Sequence, residues 1–464
     1  MPVSSFHGLE TALRGLLAQQ RAIEVTGHNI ANETTPGYSR QRADLLATPA
    51  LSVPSSSPRT LTVQLGSGVV VGGIERLRDR FTDVQYRAQA SRLGDVSTRS
   101  ALLEQAELAF AEPGERGIAA QLNRFWSAWG DVANDPRSEP ARRVLVEQAR
   151  TLADAFGTLD AQLATLQAHA AEEYASLTAA GGPIDGAARE IASLNQAIGA
   201  AVARGDSPND LLDRRDLLLD QLAQLGQVRV EPALDGGGQP IAGQIDVHLG
   251  SDATPIVSGE HARSPWALAF AASGPGLGRL GALADLAGAG GALDGYRADL
   301  HAAATALATA VNGLHQAAGG PPFLVVGGAP PAPGVAARPL EVAAAVDPRQ
   351  GGALAAIVTA TAGDGNDVAT AIAALRGGAS DQRYGALVGR LGTEVADVRR
   401  REATVQSLAD ALLDRRDMTS AVSLDEEMAN LVRFQRGYQA AARSLTTVDE
   451  LLDQIINRTG RVGL

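Results

Sequence analysis

Both ends of this chain carry an apolar stripe that a lone helix cannot shelter, and that limits what the rest can be. Near the N-terminus Leu9, Leu13, Leu16, Gln20, Ile23, Gly27 and Ile30 follow a 4-3-4-3 spacing, the seam of a coiled coil, while Gln19, Arg21 and Glu24 fall off it. At the other end Leu431, Phe434, Tyr438, Ala441, Leu445, Val448, Leu452 and Ile455 alternate by three and four, and Leu424 and Met428 join them after one phase slip. Over 423–457 there is no proline, and the single glycine is Gly437. Ser423 is placed as the N-cap of this helix with Glu426 as its capping-box partner, and Asp425, Glu426 and Glu427 sit where the helix dipole favours anions. Each buried Leu or Ile contributes roughly 1.5–3 kcal/mol, so eight such positions give on the order of 10–20 kcal/mol gross, but only against a partner surface. The obvious partner within the chain is the seam at 9–30, which is short and weakened at Gln20 and Gly27. The two ends are therefore expected to be loose in a lone subunit and to order when neighbouring subunits cover them.

The first seam runs into "GHNIANETTPGYSRQRADL", Gly27 to Leu45. Pro36 disfavours helical backbone at Thr35, and Gly37 accepts a positive φ. Asn29, Asn32, Pro36, Gly37 and Tyr38 are read as a connector, with extended chain from Ser39, a Ser- and Pro-rich linker at 52–58 and a strand-like stretch at 61–77. Residues 78–225 read as mostly helical, with breaks at Pro113, Pro136, Pro183 and Pro208 and one long helix candidate starting at Ala141. From Val228 to about Phe270 short strands punctuated by Gly and Pro take over, and helix returns at 292–317 and 382–416 around Gly-, Pro- and Ala-rich loops at 318–352. The expected fold class is multidomain α+β. It comprises a terminal coiled-coil assembly domain (1–45 plus 418–464), a mainly helical body (46–226 plus 275–317 and 353–417) and a β-rich inserted outer domain (227–274 plus 318–352).

Charge and composition narrow the function classes. With 464 residues the chain is too long for one compact core by the usual size rule. Its net charge of -12 repels nucleic acid and anionic lipid, so neither is an expected partner. All 40 basic residues are arginine, and there is no cysteine, which removes disulfides, thiolate metal sites and cysteine nucleophiles. The N-terminus lacks the basic start, apolar core and cleavage site of a Sec signal, and no run approaches the roughly 18 apolar residues of a membrane span. The chain is expected to be soluble, or to leave the cell by another route.

Candidate chemistry is sparse. "GLGRLG" at 276–281 matches a dinucleotide fingerprint, with Asp294 and Asp299 near the spacing of a ribose-binding acid, but the surrounding βαβ series is missing and a Gly-rich turn is the better reading. "GDGND" at 363–367 lacks the remaining calcium ligands and reads as a solvated turn. The seven histidines show no metal-ligand spacing, and no nucleophile elbow or P-loop is present. "LLDRRD" occurs at 211–216 and 412–417, and is read as exposed ion pairs on a helix face, each worth about 0–1 kcal/mol. The run of three Arg at 399–401 is read as a solvated helix face. No catalytic, cofactor or metal site is expected, and so no enzyme.

Four stretches carry a family resemblance. "NIAN" at 29–32 with "TPGYSRQ" at 35–41 resembles the N-terminal signature of flagellar rod, hook and hook-associated proteins. "FWSAWGDVANDPRSEPARRVLVEQARTLADAF" (125–156), "NDLLDRRDLLLDQL" (209–222) and "SLDEEMANLVRFQRGYQAAARSLTTVDELLDQII" resemble, in the right order, segments of the flagellar hook-associated protein 1 family. Ala421 stands where relatives tend to have glycine, the β-rich middle is compact, and "NRTGRVGL" runs past the usual end. The resemblance implies an axial coiled coil and a self-assembling adaptor at the hook–filament junction outside the cell. It also implies export by the flagellar type III system, with a chaperone first covering the C-terminal helix in the cytoplasm. The partners implied are further copies of the chain, the hook protein and the second hook–filament junction protein. Leu9, Leu13, Leu16, Ile23, Ile30, Leu431, Phe434, Tyr438, Leu445, Val448, Leu452 and Ile455 become the assembly seam. The segment 27–45 becomes the link that lets inner and outer layers tilt differently. The alternative is another axial protein, such as the second junction protein or a hook or rod component. A wall hydrolase would need a carboxylate or metal cluster in the middle region, where the sequence shows none.

Overall fold

A computed structural model describes residues 6–53, 63–264, 278–328 and 332–458. In chain order the elements are α1 (His7–Ala31), β1 (Gln41–Ala47), β2 (Leu51–Val53), β3 (Val63–Leu65) and β4 (Val69–Arg76). Then come α2 (Arg80–Phe110), α3 (Ile118–Asn134), α4 (Glu139–Thr178), α5 (Pro183–Ala203) and α6 (Asn209–Leu225). Four strands follow, β5 (Val228–Leu234), β6 (Pro240–Leu249), β7 (Val257–Ser258) and β8 (His261–Ala262), then α7 (Gly278–Ala287) and α8 (Ala292–Ala317). The chain closes with β9 (Leu324–Val326), β10 (Leu340–Val342), α9 (Asp367–Ala373), α10 (Ala379–Ser420) and α11 (Leu424–Asp453). The strand-like "WALAF" at 266–270, most of the Ser- and Pro-rich linker and the tail from 459 lie outside the described residues.

The body is built on apolar stripes at helical spacing. On α3, Phe125, Trp126, Trp129 and Val132 are buried, and Trp129 meets Phe323 with ring centroids 5.0 Å apart. On α4, which Ser138 caps by accepting from Ala141 N, Leu145, Leu152, Phe156, Leu159 and Leu163 form the inward stripe. The first half of α10 buries Tyr384, Leu387, Leu391, Val395 and Val398, but beyond that only Ala409 and Ser420 are buried. That second half stays helical because it is rich in Ala, Leu and Arg, with no glycine or proline after Gly392.

The strands of the two β-rich stretches do not share a sheet. β5–β8 form one antiparallel sheet, whereas β9 and β10 form a separate hairpin. The sheet packs on α5 and the hairpin on α4 and α8. Val247 and Val257 from the first, and Leu324 and Leu340 from the second, all join the core that the helices share. The two β-rich stretches thus pack on different helices of the body. Their short strands cannot bury a face alone, and helix faces supply it.

The first two-stranded ladder lies beside the terminal helices. β1 and β4 pair antiparallel, and the register skips Gly72, where a β-carbon would lie 2.5 Å from Leu46 Cδ1. This ladder lies against α1, where Arg14 donates to Ser67 O at 3.1 Å. α11 folds back along α1, antiparallel. Ala421, between α10 and α11, has φ of -73°, so a β-carbon is no obstacle there.

A buried ion pair sits inside the body. Arg297 on α8 donates to both carboxylate oxygens of Asp160 on α4, at 2.9 and 3.0 Å, and both side chains are fully buried. Burial opposes ionisation of Asp160. The hydrogen bonds from His301, Arg297 and Ala337 N outweigh it and hold the carboxyl at about 2. Because the folded value lies below the ordinary 3.8, this contribution is complete above that pH and is lost as pH falls through about 2. Arg297→Ala is expected to cost about 3–5 kcal/mol at neutral pH, by stranding the Asp160 charge. The urea midpoint of the body checks it; a loss below about 1 kcal/mol would refute the stated role.

A buried joint between the terminal helices and the body

The "NDLLDRRDLLLDQL" helix, α6, puts its carboxylates on one face, because Asp213, Asp216 and Asp220 are three and four residues apart. Arg76 at the end of β4 donates to Asp213 at 2.8 Å and to Asp216 at 2.9 Å. Arg87 on α2 donates to Asp220 at 2.7 Å and to Asp216 at 3.0 Å. Arg78 lies 3.5 Å from Asp216 while clamping Asp83, and Arg416 on α10 donates to Asp220 at 2.6 Å. Arg416 also lies 4.3 Å from the Tyr86 ring centroid. The first "LLDRRD" is therefore not a set of exposed pairs. Its partners arrive from β4, α2 and α10 and close over it, leaving Asp213 and Arg78 under 10% exposed. Of the second repeat only Arg416 joins in; Asp414, Arg415 and Asp417 are exposed.

Electrostatics within this ladder are strongly coupled. Burial works against an ionised Asp216, but Arg78, Arg87 and Arg76 outweigh it and hold the carboxyl below the ordinary range. Arg215 points the other way, into the β5–β8 side, where it donates to Asn195 and Gly243 O. Burial lowers it to about 10.

The connector is tied to the same helix. Asn29 lies inside α1 and is 1% exposed, and its amide is fully used. Nδ2 donates to Gln41 O at 2.8 Å and to Glu427 Oε2 at 3.0 Å, and Oδ1 accepts from Tyr38 OH at 2.8 Å and Gln41 N at 2.9 Å. Burial and the nearby Asp210, Asp213 and Glu427 push the Tyr38 hydroxyl well above its ordinary value, so it stays a donor. Ser39 N donates to Asp213, and Gln41 Nε2 to Asp210, each at 3.0 Å. Arg40 bridges to Glu427 at 2.7 Å and Glu426 at 2.6 Å, and its backbone N donates to Ser420 O. Glu426 thus serves Arg40; Ser423 starts α11 without a side-chain cap. Gly37 has φ of +79°, and a β-carbon there would come within 3.1 Å of Leu217 on α6. Asn32 bonds back to His28 O, and Pro36 is exposed.

α1 and α11 pair in strict antiparallel register. Gly8 faces Val448, Gly15 faces Ala441, Gly437 faces Gln19 and Asn29 meets Glu427. On α1 the close stripe therefore runs one residue ahead of the expected seam. Ala18, Ala22, Val25, Thr26 and Asn29 are buried, Leu9, Leu16, Ile23 and Ile30 are half-buried, and Leu13 is exposed. Small residues win this face because they let the helix backbones approach. On α11 Leu431, Phe434, Leu445, Val448 and Leu452 are half-buried, Tyr438 is exposed and Glu427 is the fully buried residue, while Ile455, on the π-helical turn Gln454–Arg458 that follows, is exposed.

Elsewhere, the candidate chemistry resolves into structure. Gly278 turns at φ of +69° against Leu225 and Gly226, Asp294 accepts from Gly290 N, and Asp299 pairs with Arg390. In 363–367, Asp364 pairs with Arg137 and Asp367 accepts from Thr361. Among the described residues no cluster of three or more metal-ligating side chains exists, and no helix is long and apolar enough to cross a membrane.

Sequence reasoning missed Arg40, Gln41, Arg76, Arg78 and Arg87, which have no local signal. The spacing of Asp213, Asp216 and Asp220 is the one clue that a buried cationic partner set was needed.

Comparison with known proteins bears on this joint. Residues 103–269 match the helical domain of flagellar hook-associated protein FlgK. Residues 9–38 match the flagella basal body rod protein family, and 418–458 match the flagellar basal body rod FlgEFG protein C-terminal family. Flagellar hook-associated protein 1 of Bacillus subtilis is 31% identical, over 98% of this chain and 99% of that protein. Flagellar hook-associated protein 1 of Salmonella typhimurium is 29% identical, over 49% of this chain and 39% of that protein. The flagellar hook junction protein FlgK structure from Burkholderia pseudomallei shares 25% identity over 53% of this chain and 47% of that one, with a TM-score of 0.44.

Asp216→Asn is expected to leave Arg76, Arg78 and Arg87 short of charge and to destabilise the joint by about 3 kcal/mol or more at pH 7. Because Asp216 is held ionised below its ordinary range, its contribution is full above about pH 4 and vanishes as the pH falls through the depressed folded value. Chemical denaturation at pH 7 and pH 3 tests both points: the variant's deficit should be full at the first and measurably smaller at the second. Equal deficits would contradict the assignment.

Proposed function

The chain belongs to the flagellar hook-associated protein 1 family, and from that premise we propose that its terminal helices build the inner layer of an adaptor at the hook–filament junction. It is a structural, non-catalytic component of the bacterial flagellum, and it self-assembles into the axial structure with hook components. In the proposed reading, copies close into a ring outside the cell, contacting the hook protein on one side and the second junction protein on the other. They travel through the flagellar type III exporter, and before that a chaperone holds the C-terminal helix in the cytoplasm.

One observation carries this reading. The α1–α11 pair uses its small-residue face for itself and leaves Leu13, Leu17, Val432, Leu451 and Ile456 exposed. A two-helix unit with large apolar residues outside is an incomplete core, and identical neighbours are the simplest way to complete it. The residues of the proposed seam then divide. Leu445, Val448 and Leu452 hold the pair together, while Leu13, Tyr438 and Ile455 face outward. The buried joint fixes the angle at which each copy presents that face.

Two variants separate the roles. Leu17→Asp with Val432→Asp should leave the subunit folded and the helices paired, yet abolish filament attachment when it replaces the wild-type chain. Leu445→Asp with Leu452→Asp should separate α11 from α1, abolish assembly and chaperone binding, and leave the body's unfolding transition in place. Electron microscopy of cells and far-UV melting of the purified chains read these outcomes. Normal filaments with the first pair, or a melted body with the second, would sink the proposal.

A further inference from the structure

The body carries a second surface that its own fold leaves open. α2 and α10 pack antiparallel, and outside their contact lies a groove of about 550 Å³ lined by Arg92, Val96, Arg400, Arg401 and Val405 among others. Its charge is out of character for a chain of net charge -12. Arg400 and Arg401 share one carboxylate, Asp397, while Asp95 is engaged by Arg99. Among the described residues Arg92 makes no ion pair. Beyond the groove, toward the joint, helical spacing puts Ala88, Val84 and Phe81 on the same face of α2 as Arg92, and Leu408 and Met418 near the face of α10 that bears Arg400. Phe81, Val84 and Met418 are 64%, 65% and 88% exposed. The surface is therefore cationic at one end and apolar at the other.

The opposite combination occurs at the end of α11. In the register that sets Gly8 against Val448, α11 beyond Val448 runs past the start of α1. This overhang bears Asp449, Glu450 and Asp453 beside the exposed Leu451, and the π-helical turn Gln454–Arg458 that continues it bears the exposed Ile456. We propose that the α2–α10 groove receives the overhanging end of α11 from a second copy of this chain, its acids on Arg92, Arg400 and Arg401 and its apolar residues toward Phe81, Val84 and Leu408. The inference rests on the reading that the chain self-assembles. The contact is heterologous, head to tail, so each copy gives its tail to one neighbour and its groove to the other, and the series closes into a ring or extends. Charge complementarity sets its register, and salt weakens it.

Charge exchange in the full-length chain tests this. R92E/R400E/R401E and D449R/E450R/D453R should each self-associate about tenfold or more weakly than wild type in sedimentation, since three facing pairs become repulsive. Mixing the two variants, or combining all six changes in one chain, should restore association. Helix content and melting of each variant confirm that the changes act on a surface. Wild-type association by either single-sided variant, or failure of the combined chain to recover, would overturn the proposal. If these variants assemble normally while Leu17→Asp with Val432→Asp does not, the groove contact is wrong and the assembly reading stands.

Discussion

Everything distinctive in this chain is hung on the row of carboxylates along α6. Asp213, Asp216 and Asp220 receive arginines from β4, α2 and α10 and, through Ser39, the connector itself. A single such pair on the surface would be worth about 0–1 kcal/mol. Under cover, with each Asp shared by two or three arginines, removal of one member strands charge that cannot be hydrated. The motif therefore acts as a clasp. It sets where the terminal helices leave the body without relying on a broad apolar interface.

Asn29 shows how the clasp reaches the far end of the chain. One amide joins α1, the connector and α11 through four hydrogen bonds, and Glu427 passes the contact on to Arg40. Residues almost 400 positions apart in sequence are thus held together by polar groups whose geometry admits one arrangement. Apolar packing in the terminal unit does something different. It is thin, made by glycine and alanine at close approach, and it leaves large side chains outside. Orientation comes from the polar joint, and appetite for neighbours comes from the unburied apolar face.

The sequence made the periodic parts plain and hid the joint. The helices at 292–317 and from Glu139, the break after Asn32 and the terminal stripes all follow from spacing and from glycine and proline chemistry. The one-residue offset on α1 did not, because leucines outrank alanines in any hydrophobic reading while close helix packing favours the small face. The β-rich stretches were visible as strands, but nothing local told that the hairpin at 324–342 would join α4 and α8 instead of the β5–β8 sheet. The "LLDRRD" pattern was seen and undervalued, since its partners Arg76, Arg78 and Arg87 lie more than a hundred residues away.

Hydrogen exchange on the purified subunit measures the central claim, that the buried α6 clasp holds the terminal pair on the body. In the wild-type chain, amides of α1 from Ala18 to Asn29 and of α11 near Glu427 should be protected, and Asp213→Asn with Asp216→Asn should release both together while α3 and α8 keep their protection. Unprotected ends in the wild type, or ends indifferent to the loss of both carboxylates, would contradict it.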